Sequence, residues 1–329
     1  MNAKKVIIDC DPGIDDSLAL MLAVASPEFD IIGITIVCGN VPTGLGAENA
    51  LKILQQAQRL DIPVYLGATQ PLKREYVSAQ DTHGMDGLGE SELPNVTTVR
   101  PHVGAIGFLN HTLQANSDVT VIALGPLTNI ALALQQEPAA WQHVSEFVSM
   151  GGSFHSPGNC SPVAEYNYWC DPDAAQQVYA KMPVPIKMIG LDVTRQIVLT
   201  PSLLAYAQRV NPVVGGFIAQ ITKFYFDFHW QQERVIGCVI NDPLAVAYAL
   251  DPSLCQGFTS YTTVVTDGIA LGQSISDTAN FWHQPNNSLI LTEVAAFRFW
   301  QLFLNRVINA QEPELSDILK QLHYTEAQG

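Results

Sequence analysis

The run Val6-Ile7-Ile8-Asp9-Cys10-Asp11-Pro12-Gly13-Ile14-Asp15-Asp16 constrains this chain more than any other stretch. Val6-Ile7-Ile8 reads as a buried strand, Pro12-Gly13 as a tight turn, and Asp15 to Ala25 as a helix. A strand leading at once into a helix opens a βαβ unit, and the rhythm continues along the chain. Ile31 to Val37 reads as a strand, about Gly46 to Arg59 as a helix, and Val64-Tyr65-Leu66, Val119 to Leu124, Phe147 to Met150 and Ile186 to Leu191 as further strands. The predicted fold class is α/β: a single large domain, 1–329, with a mostly parallel sheet flanked by helices, Rossmann-like in outline. Phe258 to Thr266 and a helix from about Thr292 to Ala310 read as a small strand-and-helix addition packed on that sheet.

The same run delivers four aspartates within eight residues, at the carboxyl end of the first strand and the start of the first helix. Open α/β sheets bind ligands at that edge. The helix dipole favours Asp15 and Asp16 there, and the turn folds them back towards Asp11. Four carboxylates desolvated together repel strongly, so a hard divalent cation with oxygen ligands is expected among them.

Net charge limits the partners. Sixteen Lys and Arg against thirty-one Asp and Glu leave −15, which repels a nucleic-acid backbone or an anionic membrane. No apolar stretch is long enough to span a bilayer and the start lacks a secretion signal, so a cytoplasmic protein is expected. The six cysteines show no CxxC spacing, which implies neither zinc nor disulfides. Strand alternation puts Cys10 on the face opposite Asp9 and Asp11, so it reads as core.

Two later segments stand out. Residues 69–100 are polar and Gly-rich, contain His83-Gly84-Met85-Asp86-Gly87-Leu88-Gly89, and read as a loop forming an active-site flap. Pro212 to Gln232 reads as a helix whose aromatic cluster, Phe224 to Trp230, is better explained by core or subunit packing than by ligand binding.

The amino-terminal pattern DxDPGxDD resembles the signature of the inosine-uridine-preferring nucleoside hydrolases. Similar blocks extend along nearly the whole chain: Val37-Cys38-Gly39-Asn40, Leu124-Gly125-Pro126-Leu127-Thr128-Asn129, Met150-Gly151-Gly152, Gly158-Asn159, Ala164-Glu165-Tyr166-Asn167, Asp171-Pro172 and Asn241-Asp242-Pro243. The resemblance implies calcium held by Asp11, Asp16, Asp242 and the Leu124 carbonyl, with Asp11 also acting as general base for the bound water and Asp9 just behind. It places Asp15 and Asn167 at the 2'-hydroxyl of a ribonucleoside, Asp242 at the 3'-hydroxyl, and Asn159 and Glu165 at the 5'-hydroxyl. Asn40 orients the ribose and Met150 packs against it. A homodimer or homotetramer is implied as well.

The chain departs from that pattern at Asn241, where many members carry the histidine thought to protonate the departing base. Asn cannot donate that proton. His83 on the flap and His229 on the aromatic helix are the nearest substitutes by motif position, and each also has a merely structural reading. Gln232 and Arg234 fall in the region facing the base and read equally well as solvated helix-end residues. Two other functions compete: a metal-dependent phosphohydrolase, which lacks basic residues near the cluster, and a non-catalytic nucleoside- or ribose-binding protein, against which the intact Asp11 and Asp16 argue.

Overall fold

The computed structural model describes residues 3–325. Chain direction over the first third follows directly from sequence. Strand β1 (Lys4–Cys10) runs into helix α1 (Ile14–Val24) and then strand β2 (Phe29–Ile36), which lies parallel to β1. Strands β3 (Val64–Leu66) and β4 (His102–Val103) extend the sheet on that side. The chain then returns to the other edge of β1, where β5 (Val119–Ala123) pairs in parallel, followed by β6 (Val144–Met150) and β7 (Ile186–Ile189).

The carboxyl-terminal third differs from the small addition expected there. Ser288–Val294 pairs in parallel with β7, and Cys255–Ser260 closes the edge in antiparallel register, so both belong to the nine-stranded main sheet. Thr292 to Val294 is strand rather than helix, and the helix begins only at Ala296. The physical reason is that a short apolar run such as Leu289-Ile290-Leu291 carries no periodicity that separates strand from buried helix.

Side-chain alternation along β1 divides the core in two. Val6, Ile8 and Cys10 enter the larger cluster with Leu18, Leu22 and Ile122, whereas Ile7 enters the cluster containing Val121, Trp141 and Phe147. Cys10 is thus core, as alternation predicts. Helix α1 is buried from Ile14 to Ala23, so it is the central helix of its layer and not a surface one. Truncating Leu18 or Leu22 to Ala costs about 2–5 kcal/mol at a site so enclosed.

Because the sheet grows one way from β1 to β4 and the other way from β5 onward, its direction of winding reverses between β1 and β5. A crevice opens beyond the carboxyl ends of these two strands, at the point where such sheets take their ligands. No helix among the described residues is long and apolar enough to cross a membrane.

Candidate active site

A cavity of about 640 Å³ occupies that crevice, large enough for a small metabolite. Its floor is the acidic run after β1. Asp16, in the first turn of α1, accepts the Asp11 N–H at 3.2 Å and the Gly13 N–H at 3.0 Å, which folds the turn back on itself. Asn40, just beyond β2, donates its backbone N–H to Asp11 at 2.6 Å and its side-chain amide to Asp16 at 2.9 Å. Asp242 arrives on the helix Asp242–Leu250.

Asp15, Asp16 and Asp242 place carboxylate oxygens within 4.8 Å of one another, all three buried. Asp11 adjoins this trio, and its Oδ1 is buried without a hydrogen-bond partner. Burial, reinforced by the Asp16 charge, pushes the Asp11 carboxyl well above its ordinary range. Burial also raises Asp16, with help from Asp15, to about 6, and raises Asp242, with help from Asp15 and Asp16, well above the usual value. Four hard oxygen donors that repel one another, one of them unpartnered, fit a hard divalent cation.

Two motif glycines owe their identity to this cluster. A Cβ on Gly39 would sit 1.9 Å from Asp11 Oδ2, and one on Gly125 would sit 2.4 Å from Oδ1, so any side chain at either position evicts the carboxylate. Asp9 is the last residue but one of β1. Its Oδ1 accepts from Thr35 at 2.5 Å and from Asn129 at 2.8 Å, while burial outweighs both bonds and lifts its carboxyl to about 7.

One wall comes from the segment after β6. Glu165 caps the helix Tyr166–Cys170 by accepting the N–H groups of Asn167 and Tyr168, and takes Gly152 N–H at 2.8 Å as well. Burial still raises its carboxyl to about 7 against those three bonds. Asn167 directs its amide to the Leu124 carbonyl at 2.7 Å and to the Met150 carbonyl at 3.2 Å, so one lone pair of the Leu124 oxygen is taken. Asn159 and Met150 also line the cavity.

The opposite wall departs from the sequence reading. Tyr225, Phe228 and His229 of the long helix Pro212–Glu233 face the cavity, whereas Trp230 is about half exposed. The aromatic cluster is therefore divided between ligand cavity and surface, because only one stripe of a helix can face one neighbour. Tyr225 donates to Asp15 at 3.3 Å, and Asn241 donates its side-chain amide to the same oxygen at 3.0 Å. Tyr225 went unnoticed as a site residue; its fourth-residue spacing to His229 was the available signal.

Segment 69–100 lines the cavity and is anchored along its first part. Arg74 stacks on Trp169 at 3.8 Å, Asp171 accepts Leu72 N–H, and Tyr166 donates to the Val77 carbonyl. Asp86 accepts the N–H groups of Leu88, Glu90 and Glu92, so it organises the loop and does not partner His83. His83 itself is buried, with Nδ1 accepting the Ile14 N–H at 3.0 Å. His229 faces the carbonyl of Tyr225 with Nδ1 at 2.9 Å. Burial lowers the pKa of both rings, which keeps them neutral. The two tautomers are consequently opposite: His83 carries its proton on Nε2, and His229 on Nδ1.

Fold and site together define an α/β protein with an acidic, oxygen-lined cleft suited to a polyhydroxylated ligand on a hard cation. The family described as inosine-uridine preferring nucleoside hydrolase matches residues 6–301. A pyrimidine-specific ribonucleoside hydrolase of Escherichia coli O1:K1, RihB, is 33% identical over 304 residues, covering 92% of this chain and 96% of that one. Among solved structures, a plant nucleoside hydrolase is 32% identical with a TM-score of 0.88, covering 93% of this chain and 99% of its own. A purine-preferring ribonucleoside hydrolase from Gardnerella vaginalis is also 32% identical, with a TM-score of 0.86 over 93% of this chain and 98% of its own. The chain belongs to the inosine-uridine preferring nucleoside hydrolase family and is an enzyme of the N-glycosidase class.

Proposed function

We propose that the protein hydrolyses the N-glycosidic bond of ribonucleosides to ribose and free base, with calcium held by Asp11, Asp16, Asp242 and the second lone pair of the Leu124 carbonyl. The observation that carries this reading is the convergence of three buried carboxylates beside the unpartnered Oδ1 of Asp11 on the cavity floor. Bound there, the cation would lower the pKa of a water and offer coordination to ribose hydroxyls. Asp11 takes the proton from the attacking water. Breaking the C–N bond builds oxocarbenium character on the ribose, and the clustered carboxylates stabilise that charge as it develops.

The remaining side chains hold the sugar. Asp15 and the Oδ1 of Asn167 share the proton of the 2'-hydroxyl, Asp242 accepts from the 3'-hydroxyl, and the 5'-hydroxyl donates to Glu165 while accepting from the Asn159 amide. Asn40 orients the ribose and Met150 packs against the ring. Of the two histidines, His83 presents its Nε2–H as a hydrogen-bond donor that stabilises charge developing on the departing base, which takes its proton from solvent; His229, with Nδ1 on the Tyr225 carbonyl, offers an acceptor instead. Attack by water without a covalent intermediate predicts inversion at the anomeric carbon.

One assay tests the whole reading: ribose release from inosine, uridine and cytidine, with and without chelator, for wild type and Asp11→Ala. Release that stops with chelator and with Asp11→Ala supports it; no release from any ribonucleoside, or a retained anomer by NMR, defeats it. Relatives of nearly equal identity are named for pyrimidine and for purine substrates, so the panel spans both. Self-association belongs to the same reading. Ile269, Phe281 and Trp282 expose apolar surface beside the hairpin formed by Thr262–Val264 and Ser274–Ser276, and sedimentation velocity reads whether a homodimer or homotetramer forms. Six free thiols fit a reducing cytoplasm.

A further inference from the structure

Beyond β7 the chain makes one short helical turn, Leu191–Thr194, and its Asp192 together with Arg195, the residue that ends it, grips adjoining stretches of backbone. The Asp192 carboxylate accepts three successive N–H groups, from Phe154 at 2.6 Å, His155 at 2.7 Å and Ser156 at 2.8 Å. Arg195 closes on the following residues. It donates to the Ser156 hydroxyl at 2.5 Å, to the Pro157 carbonyl at 2.6 Å and to the Gly158 carbonyl at 3.2 Å. Its remaining bond, at 3.1 Å, goes to Glu233, the last residue of the helix that carries Tyr225 and His229.

The next residue after this clamped stretch is Asn159. Its Oδ1 accepts Tyr166 N–H at 3.0 Å, and its Nδ2 has no partner among the described residues. An exposed Arg–Glu pair by itself contributes little to stability. A planar guanidinium that spans two carbonyls, a hydroxyl and a carboxylate does something else, because its fork fixes directions that a flexible point charge cannot. Arg195 therefore spends its donors on the shape of the loop and on tying that loop to the opposite cavity wall.

We infer that Arg195 is a positioning residue for recognition of the 5'-end of the sugar: it sets where Asn159 presents its free amide. This rests on the nucleoside reading above. Arg195 lines the cavity, but its four hydrogen bonds go to the loop and to Glu233, so its effect belongs in discrimination between substrates and not in the chemical step.

The test compares a ribonucleoside that the wild type cleaves, inosine or uridine, with its 5'-deoxy counterpart. Wild type, Asn159→Ala, Arg195→Met, Arg195→Lys and Glu233→Gln are assayed for kcat and KM on both, with thermal melting alongside. Arg195→Met is expected to raise KM for the ribonucleoside on the order of tenfold, the factor that corresponds to one modest hydrogen bond. It leaves the 5'-deoxy substrate nearly unaffected and brings the preference ratio close to that of Asn159→Ala. Arg195→Lys recovers little, lacking the fork. A folded Arg195→Met that keeps the wild-type ratio, or that loses the same factor on both substrates, overturns the inference. Should Arg195→Met not fold, Glu233→Gln decides: a lowered ratio supports the assignment and an unchanged ratio overturns it. A wild type that cleaves both substrates equally overturns it too, while leaving the hydrolase reading intact. No ribose from either substrate defeats that reading itself.

Discussion

His83 accepts the backbone N–H of Ile14 at Nδ1, 3.0 Å away, so a side chain 69 residues downstream caps the first helix. A ring protonated at Nδ1 has no lone pair for this bond, and the positive end of the helix disfavours a second proton. Burial acts in the same direction and outweighs the opposing pull of Asp15. The imidazole is thereby held neutral, with its proton on Nε2 at a cavity wall.

Removing this donor should be felt only where the leaving group needs it. His83→Ala is expected to lower kcat on ordinary nucleosides by about 10²–10³-fold, the usual weight of one hydrogen-bond donor aimed at developing charge. On the riboside of 4-nitrophenol, whose anion departs unaided, kcat should stay near wild type. Parallel losses on both substrates would show that His83 merely supports the fold.

The same ring gives a pH dependence of known sign. Its folded pKa lies below the ordinary 6.5. As pH falls, the unfolded chain takes up the proton first, so the stability His83 contributes is present above about 6.5 and lost below it. Urea midpoints at about pH 7.5 and pH 5.5 should therefore fall further for wild type than for His83→Gln. A larger fall in the variant contradicts this assignment.

The carboxylates slope the other way. Asp16, raised to about 6, favours the folded state at low pH, and that contribution is lost as pH rises through its folded value. Calcium bound as proposed would reverse the penalty by holding the ionised form. The melting temperature should rise with added calcium, more at about pH 7.5 than at about pH 5.5, and at a hundredfold excess over Kd the gain corresponds to about 2.7 kcal/mol. Asp242→Asn should abolish most of that gain; a calcium-induced shift that survives in this variant places the ion elsewhere.

Gly39→Ala and Gly125→Ala test the cradle around Asp11. Each added methyl meets the carboxylate at a distance no real contact allows. Isothermal titration should show calcium affinity reduced by at least tenfold in both, with ribose release reduced in step. Wild-type affinity in either variant would mean that Asp11 is not where the ion binds.

Much of this was open to a reading of the residues alone. The strand ending at Asp9 to Asp11, the Pro12-Gly13 turn and the aspartates at the start of α1 are encoded within a dozen neighbouring residues, through alternation, turn geometry and the helix dipole. Local rules also put Cys10 in the core and made the fold α/β. They misread Thr292–Val294 as the start of a helix, since the strand's place beside β7 depends on which edge was left to pair, and they carried no sign of the anchors of 69–100, which lie elsewhere in the chain.

Long-range pairing settled the rest. Asn129 and Thr35 reaching Asp9, Tyr225 and Asn241 sharing Asp15, and Arg195 spanning from Gly158 to Glu233 join residues separated by tens to hundreds of positions. No periodicity records such meetings, because they are fixed by the reversal of winding between β1 and β5 that brings distant loops to one sheet edge. Sequence by itself determined which chemical groups this protein owns and the strand edge that carries its carboxylates; the tertiary structure decided which oxygens face one another, and the protonation of the two histidines followed from the backbone atoms they happened to meet.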